Sequence, residues 1–199
     1  IKELINQDNI KCLLLAKNYG QTTAIQAGFD NAIGKYLVTL DSDLQNDPKD
    51  IPALLHKLIE EELDLVVGWR KNRKDNYFLR NLPSSFANKL IGNITGVKLH
   101  DYGCSLKAYR ADVLKEVRLY GEMHRFIPAC MATKIPASKI SELVVTHHPR
   151  IAGKSKYGIS RTFRVFVDLI SVYFFMRFFS RPGHFFGLIG LLLLSLIHI

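Results

Sequence analysis

Cysteine is scarce, with three residues in 199: Cys12, Cys104 and Cys130. None forms a C-x-x-C pair and the count is odd. A disulfide framework or a structural zinc site is therefore not expected, and a reducing compartment fits better. The plain reading is three small side chains in the interior. Neither a signal peptide nor a start methionine opens the chain, and it stops inside the apolar run 191–199; the expectation is a piece cut at both ends. There is no internal repeat and no low-complexity tract, so a repeat architecture is excluded. Acid is short relative to base, 18 Asp and Glu against 27 Lys and Arg, for a net charge of +9. Such a balance asks for an anionic partner: nucleic acid, anionic lipid or a phosphorylated substrate. No recognisable nucleic-acid reader motif accompanies the charge, and nucleic acid is not the expected partner. With 48% apolar and 23% charged residues, the chain can bury a core and is not disordered.

The first two-thirds alternates strand and helix patterns. Residues 12–16 form a short apolar run, a strand candidate. Residues 20–33 place Ala24, Ile25, Gly28, Phe29, Ala32 and Ile33 at helical spacing; 36–40 is rich in strand formers. Ile51, Leu54, Leu55, Leu58 and Ile59 make a helix stripe with Asp50 as its expected cap, and 65–68 is the next strand. A helix over 83–94, a strand over 105–109, a short helix over 112–117 and a strand over 143–147 follow. This order predicts an α/β sheet with crossover helices, and ligands of such sheets bind beyond the carboxyl ends of the strands.

Asp41-Ser42-Asp43 falls at that edge. Two carboxylates one residue apart point the same way if the strand pattern continues. Together they can grip one hard divalent cation, Mg²⁺ or Mn²⁺, which commonly bridges carboxylates to substrate phosphates. Gln45 adds a neutral oxygen two residues further on. The bland alternative is an acidic loop after a strand. Cations gather nearby: Arg70, Lys71, Arg73, Lys74 and Arg80, with Asp75 the only acid in that stretch. Ser84 and Ser85 follow in the first turn of the expected helix, where free N–H groups favour anions. A second basic stretch, 150–161, carries Arg150, Lys154 and Lys156 and suits anionic headgroups or a phosphate at a membrane surface. His124-Arg125 reads on its own as a packed structural pair. His147 and His148 would point to opposite faces of a strand, which does not suit a shared metal.

The tail changes character. Residues 163–179 are apolar apart from Arg164, Asp168, Ser171 and Arg177, which predicts an interfacial helix over 161–181 with its apolar face in lipid. Residues 185–199 are apolar except Ser195 and His198. That run is too short to span a bilayer, so 182–199 is expected to be the start of a transmembrane helix.

Taken together, several motifs resemble the family 2 glycosyltransferases that act on polyprenyl phosphates, such as dolichol-phosphate mannose synthases and bacterial undecaprenyl-phosphate glycosyltransferases. They are Asn18-Tyr19-Gly20-Gln21 to Gly28-Phe29, then Asp41-Ser42-Asp43-Leu44-Gln45 with Pro48, then Gly68-Trp69-Arg70. Arg80 with Ser84, Asp101-Tyr102-Gly103-Cys104-Ser105 to Tyr109-Arg110, His124-Arg125-Phe126-Ile127-Pro128, and Arg150 to Tyr157 complete the set. The resemblance implies a GT-A fold, a mostly parallel Rossmann-like sheet over 1–160, and inverting transfer from a UDP- or GDP-linked sugar to undecaprenyl or dolichyl phosphate. It implies that Asp41, Asp43 and Gln45 hold metal and donor, that Arg70, Arg80 and Ser84 bind the acceptor phosphate, and that Asp101 lies near the sugar among the catalytic carboxylates. Arg125, Arg150 and Lys154 fall in the membrane-side acceptor region. It further implies a catalytic domain on the cytoplasmic face of a membrane, and it admits a homo-oligomer.

One departure stands out. The family's opening strand, with a P-x-Y-N-E type motif and a following D-D-G-S, is absent, which leaves weak donor binding, or none, as the expectation for this piece alone. A Q-x-x-R-W segment is also missing, which argues against a processive polysaccharide synthase. The rivals from other classes are a non-catalytic membrane-associated fragment and a basic nucleic-acid-binding module.

Overall fold

The computed structural model describes residues 9–71, 91–92, 95–149 and 181–197, with positions 167, 170–171, 173–174 and 177–178. Four short segments become strands: β1 (Tyr36–Thr39), β2 (Leu65–Trp69), β3 (Lys107–Arg110) and β4 (Ile140–Val144), of which β1 and β2 are rich in β-branched and aromatic residues. They form one sheet in the order β1-β3-β2-β4. β2 and β4 are parallel, whereas β3 runs antiparallel to both β1 and β2. The expected mostly parallel sheet is therefore a mixed one. β3 enters from the far side of a turn at 101–105 and threads between β1 and β2 in the reverse sense.

That reversal positions the site. β1, β2 and β4 point the same way, so their carboxyl ends share one edge, and β3 brings its amino end to that same edge. Residues 41–50, Trp69-Arg70, the 101–105 turn and 145–148 all meet there. β2 is inner, and Leu65, Val66 and Val67 are fully buried. A run buried on both faces has no need of polar alternation, as its sequence shows.

Helix α1 (Gln21–Asn31) reaches the sheet through Phe29, whose ring meets Tyr109 edge-on at 5.6 Å. Helix α2 (Ile51–Glu60) buries Leu54 and Leu58 against β2 and β3, as its apolar stripe predicts. Asp50 does not cap it by side chain. Instead Asp47 accepts from Lys49 N at the head of the preceding 3₁₀ turn, Pro48–Asp50, and Asp50 accepts from Thr146 N at 2.6 Å across the sheet edge. Helices α3 (Ala111–Leu114) and α4 (Ile127–Met131) are short, and every residue of α4 is buried.

Gly68 is where the backbones come closest. A Cβ there would meet Leu106 O at 2.9 Å, Cys104 Sγ at 3.0 Å and a Val145 methyl at 3.0 Å. Two of those atoms cannot yield, being a backbone carbonyl already bonded to Gly68 N and a buried thiol. Gly68→Ala is expected to lower stability by about 1–3 kcal/mol, the usual cost of overpacking, seen as a lower midpoint in thermal unfolding.

Two further sequence expectations change, and a third falls outside the described residues. Residues 12–16 form no strand; Leu14 is 89% exposed. An apolar run becomes a strand only with a neighbour to complete its ladder, and none pairs with it among the described residues. The 83–94 helix lies almost wholly outside the described residues. In the tail, the described positions 167, 170, 171, 173, 174 and 177 are helical, and the rest of the 161–181 segment is not described. Helix α5 (Pro182–Ile197) has 16 residues, about 24 Å at 1.5 Å per residue, against a hydrocarbon core of about 30 Å. No helix among the described residues is long and apolar enough to cross a membrane, so the expected start of a transmembrane helix is not supported. Rings of Phe174, Phe178, Phe185 and Phe186 gather at the corner before α5, with centroids 5.2–5.4 Å apart.

Candidate functional site

The first wall of the site is the strip after β1. Asp41, Asp43 and Gln45 are half-buried while Ser42 and Leu44 between them are exposed. The three oxygen-bearing side chains therefore share the inward side. The strand has ended at Thr39; Leu44 takes φ at +60°, and Asp43 Oδ1 accepts from Gln45 N at 3.1 Å. Gln21, the first residue of α1, donates to Asp41 Oδ1 at 3.0 Å. Gly20 before it has φ at +90°, a conformation glycine adopts without strain.

The second wall leaves β2. Arg70 forks onto Asp101, Nε to Oδ2 at 2.7 Å and Nη2 to Oδ1 at 3.0 Å. Their side chains are only 12% and 14% exposed. The sequence reading gave these two residues separate roles, acceptor phosphate and sugar; the structure joins them in one bidentate pair. Next to it, Trp69 stacks on His100 with centroids 4.1 Å apart, and Lys71 lies over the Trp69 ring. Glu142 of β4 accepts from His100 N at 2.8 Å and pairs with the His100 ring.

Between the walls runs the 101–105 turn. Gly103 N donates back to Asp101 Oδ1 at 3.1 Å. Thr39 of β1 donates to Ser105 O at 2.7 Å. The buried Asn46 donates to Ser105 Oγ at 2.8 Å, and Cys104 Sγ lies 3.8 Å from Asn46 Oδ1. Burial pushes the Cys104 thiol up, as expected of a structural cysteine.

The exit of β4 is laid across the 45–50 loop. His148 N donates to Gln45 O at 2.8 Å, His147 bridges Asn46, and His148 Nε2 lies 3.3 Å from Asp47 Oδ2. Asp47 is held below the usual carboxylate range, chiefly by Lys49 N and then by His148. Neither histidine was a candidate from sequence, and both serve as loop fasteners.

His124 and Arg125 lie on the 3₁₀ turn Met123–Phe126. His124 Nδ1 meets Thr22 Oγ1 at 2.7 Å, and Arg125 pairs with Glu122 at 3.3 Å. This is the packed pair that the residues alone suggested. It touches α1 at Thr22, the neighbour of the Gln21 that holds Asp41. Arg80, Ser84, Arg150 and Lys154 lie outside the described residues. Asp41, Asp43, Gln45, Arg70 and Asp101 therefore share one sheet edge, the two walls standing two strand spacings apart, about 10 Å.

The donor set can be weighed for a cation. No group of three or more His, Cys, Asp or Glu side chains that could hold a metal ion occurs among the described residues. Two carboxylates and an amide oxygen remain, all hard ligands. This fits Mg²⁺ or Mn²⁺, which fill their other positions with water and substrate phosphate, and does not fit a structural zinc.

The residues to which the sequence assigned no role are Gln21 and Ser105, both inside quoted motifs, and Asn46, His100, Lys107 and Glu142. Each acts across the fold, and no spacing rule connects it to its partner.

Comparison with known proteins places this geometry. The Glycosyl transferase family 2 model matches residues 1–118. The chain is 64% identical over 182 residues to the dodecaprenyl-phosphate galacturonate synthase of Rhizobium johnstonii, covering 92% of this chain and 54% of that protein. It is 42% identical over 159 residues to the undecaprenyl-phosphate 4-deoxy-4-formamido-L-arabinose transferase of Shewanella sediminis, covering 80% and 47%. The chain thus spans about half the length of these curated relatives. Among solved structures, glucosyl-3-phosphoglycerate synthase from Mycobacterium tuberculosis with Mn²⁺ and UDP-glucose superposes with a TM-score of 0.60 at 14% identity, over 79% of this chain and 56% of that one. At that identity the likeness concerns the fold, which is GT-A-like α/β with a mixed sheet.

Proposed function

Since the chain belongs to glycosyl transferase family 2, we propose that it carries the catalytic core of an enzyme transferring a sugar from a nucleoside diphosphate to a polyprenyl phosphate beside a membrane. One observation carries this reading: the 41–45 oxygen strip and the Arg70–Asp101 pair lie along a single sheet edge, where β1 and β2 end and the 101–105 turn leads into β3. The names of the relatives support a polyprenyl phosphate acceptor, and the 64% identical one makes galacturonate the first sugar to test. The net charge of +9 suits substrates that are anionic at both ends and a surface that is anionic as well.

In the proposed reaction an oxygen of the acceptor phosphate attacks the anomeric carbon. The bond from that carbon to the nucleoside diphosphate breaks, and the diphosphate leaves with the electron pair. Attack from the opposite face inverts the anomeric centre. A phosphate monoester is mostly dianionic near pH 7, with a second pKa of about 6, so no general base is required. The protein must instead hold two mutually repelling anions in line. Asp41, Asp43 and Gln45 would hold the divalent cation, which when bound neutralises charge on the leaving diphosphate. Arg70, steadied by Asp101, presents a guanidinium to the attacking phosphate; Asp101 orients it and is not asked to move a proton. Arg80, Ser84, Arg125, Arg150 and Lys154 complete the acceptor side in this proposal. The catalytic domain, 1–160, is placed on the cytoplasmic face, with 161–181 along the lipid interface.

The test is a donor panel. The intact enzyme is given UDP- and GDP-linked sugars, UDP-galacturonate among them, with dodecaprenyl or undecaprenyl phosphate. The expected result is one glycolipid of inverted anomeric configuration, formed only with Mg²⁺ or Mn²⁺. Folded enzyme that leaves the lipid phosphate unmodified with every donor overturns the proposal.

A further inference from the structure

Lys107 is the first residue of β3 and sits in the middle of the sheet, directly opposite Thr39 of β1 on one side and Val67 of β2 on the other. It is 3% exposed. Lysine is almost never buried so deeply unless its ammonium has work to do, because desolvation is costly. Its Nζ donates to the carbonyl of Cys104, in the 101–105 turn.

That turn is fastened at several points. Thr39 holds the Ser105 carbonyl, Asn46 holds the Ser105 hydroxyl, and Asp101 at its start holds Arg70. Thr39 and Asn46 flank the 41–45 strip on its two sides. The turn is therefore bonded to both walls of the site, and Lys107 pins it from below. Burial draws the pKa of this ammonium down; Asp101 and Asp41 act the other way, and Arg70 adds to the lowering.

We infer that Lys107 is a positioning residue for sugar transfer: it pins the 101–105 turn to the sheet, and so fixes the separation of the Asp41–Asp43 carboxylates from the Arg70–Asp101 pair. This rests on the sugar-transfer reading.

The experiment compares Lys107→Met, of similar length and uncharged, with Lys107→Arg, in the intact enzyme, using UDP-galacturonate, or whichever donor the panel selects, and undecaprenyl phosphate. Lys107→Met is expected to lower kcat per folded molecule on the order of tenfold to a hundredfold, the scale of a small misplacement of reacting groups. The KM for donor should move little. Lys107→Arg should recover a measurable part of kcat. Hydrogen exchange should rise in the 101–105 amides of Lys107→Met while the core strands stay protected, a local signature that a residue serving only global stability would not give. Wild-type kcat and unchanged exchange in Lys107→Met overturn the inference. Should that variant not fold, Asn46→Ala removes another fastener of the same turn and is expected to show the same split between kcat and KM; a wild-type profile there overturns the inference equally. If the wild-type enzyme itself transfers no sugar, the functional proposal has failed instead, and the exchange measurement still tests the pin.

Discussion

Asp43→Asn is expected to lower turnover by a hundred- to a thousandfold, the approximate cost of removing one group that stabilises charge in a transition state, and to leave the fold intact. The structure explains both halves. Asp43 is half-buried on the inward side of the 41–45 strip, and its Oδ1 accepts a backbone hydrogen bond from Gln45. An asparagine oxygen can accept the same bond, so the local turn survives. What disappears is one of the two carboxylate charges facing the site. If the strip holds the cation, its half-saturating concentration must rise sharply and turnover must fall with it. If the strip is only an acidic loop, neither changes. Transfer measured against Mn²⁺ concentration, with thermal unfolding as the check on folding, separates the two. Near-wild-type turnover in a folded Asp43→Asn enzyme removes the metal assignment.

What could be read from sequence follows from the range of the forces involved. Helix α2 was legible because its stripe of Ile51, Leu54, Leu55, Leu58 and Ile59 is a local pattern that tertiary packing confirms except at Ile59, which is exposed. The strip at Asp41 and Asp43 was legible because two carboxylates one residue apart stand just past a run of strand formers, although the strand itself ends at Thr39 and residues 42–43 turn. The pairing of Arg70 with Asp101 was not, since those residues lie 31 apart and meet only because β3 returns in reverse. A four-residue strand reading Lys-Ala-Tyr-Arg carries no mark of its direction. Residues 12–16 misled for a related reason: apolar character announces a wish for burial, but a strand also needs a partner. Lys107 looked like nothing at all, because a lysine in a strand ordinarily marks the side that faces water.

The Arg70–Asp101 pair allows stability and function to be separated in one set of variants. Asp101→Asn keeps the shape but leaves a guanidinium without its counter-charge in a site only about one-eighth exposed. Breaking such a pair from one side costs about 3–5 kcal/mol, so the unfolding midpoint should fall clearly. Arg70→Lys keeps the charge, but an ammonium cannot form the two parallel hydrogen bonds made by Nε and Nη2. Both single variants are expected to raise the KM for polyprenyl phosphate more than the KM for donor if, as proposed, the guanidinium serves the acceptor. The double variant Arg70→Met with Asp101→Leu is the decisive one. Replacing both members of a buried pair by apolar groups is often neutral for stability or better, because neither charge is left stranded. The unfolding midpoint should therefore recover most of what Asp101→Asn lost, while transfer stays as low as in the worse single variant. A pair that served only to hold the fold would give back activity along with stability. Recovery of transfer in the double variant would therefore show that the second wall is scaffolding, and the acceptor phosphate would have to be held by other cations of the chain.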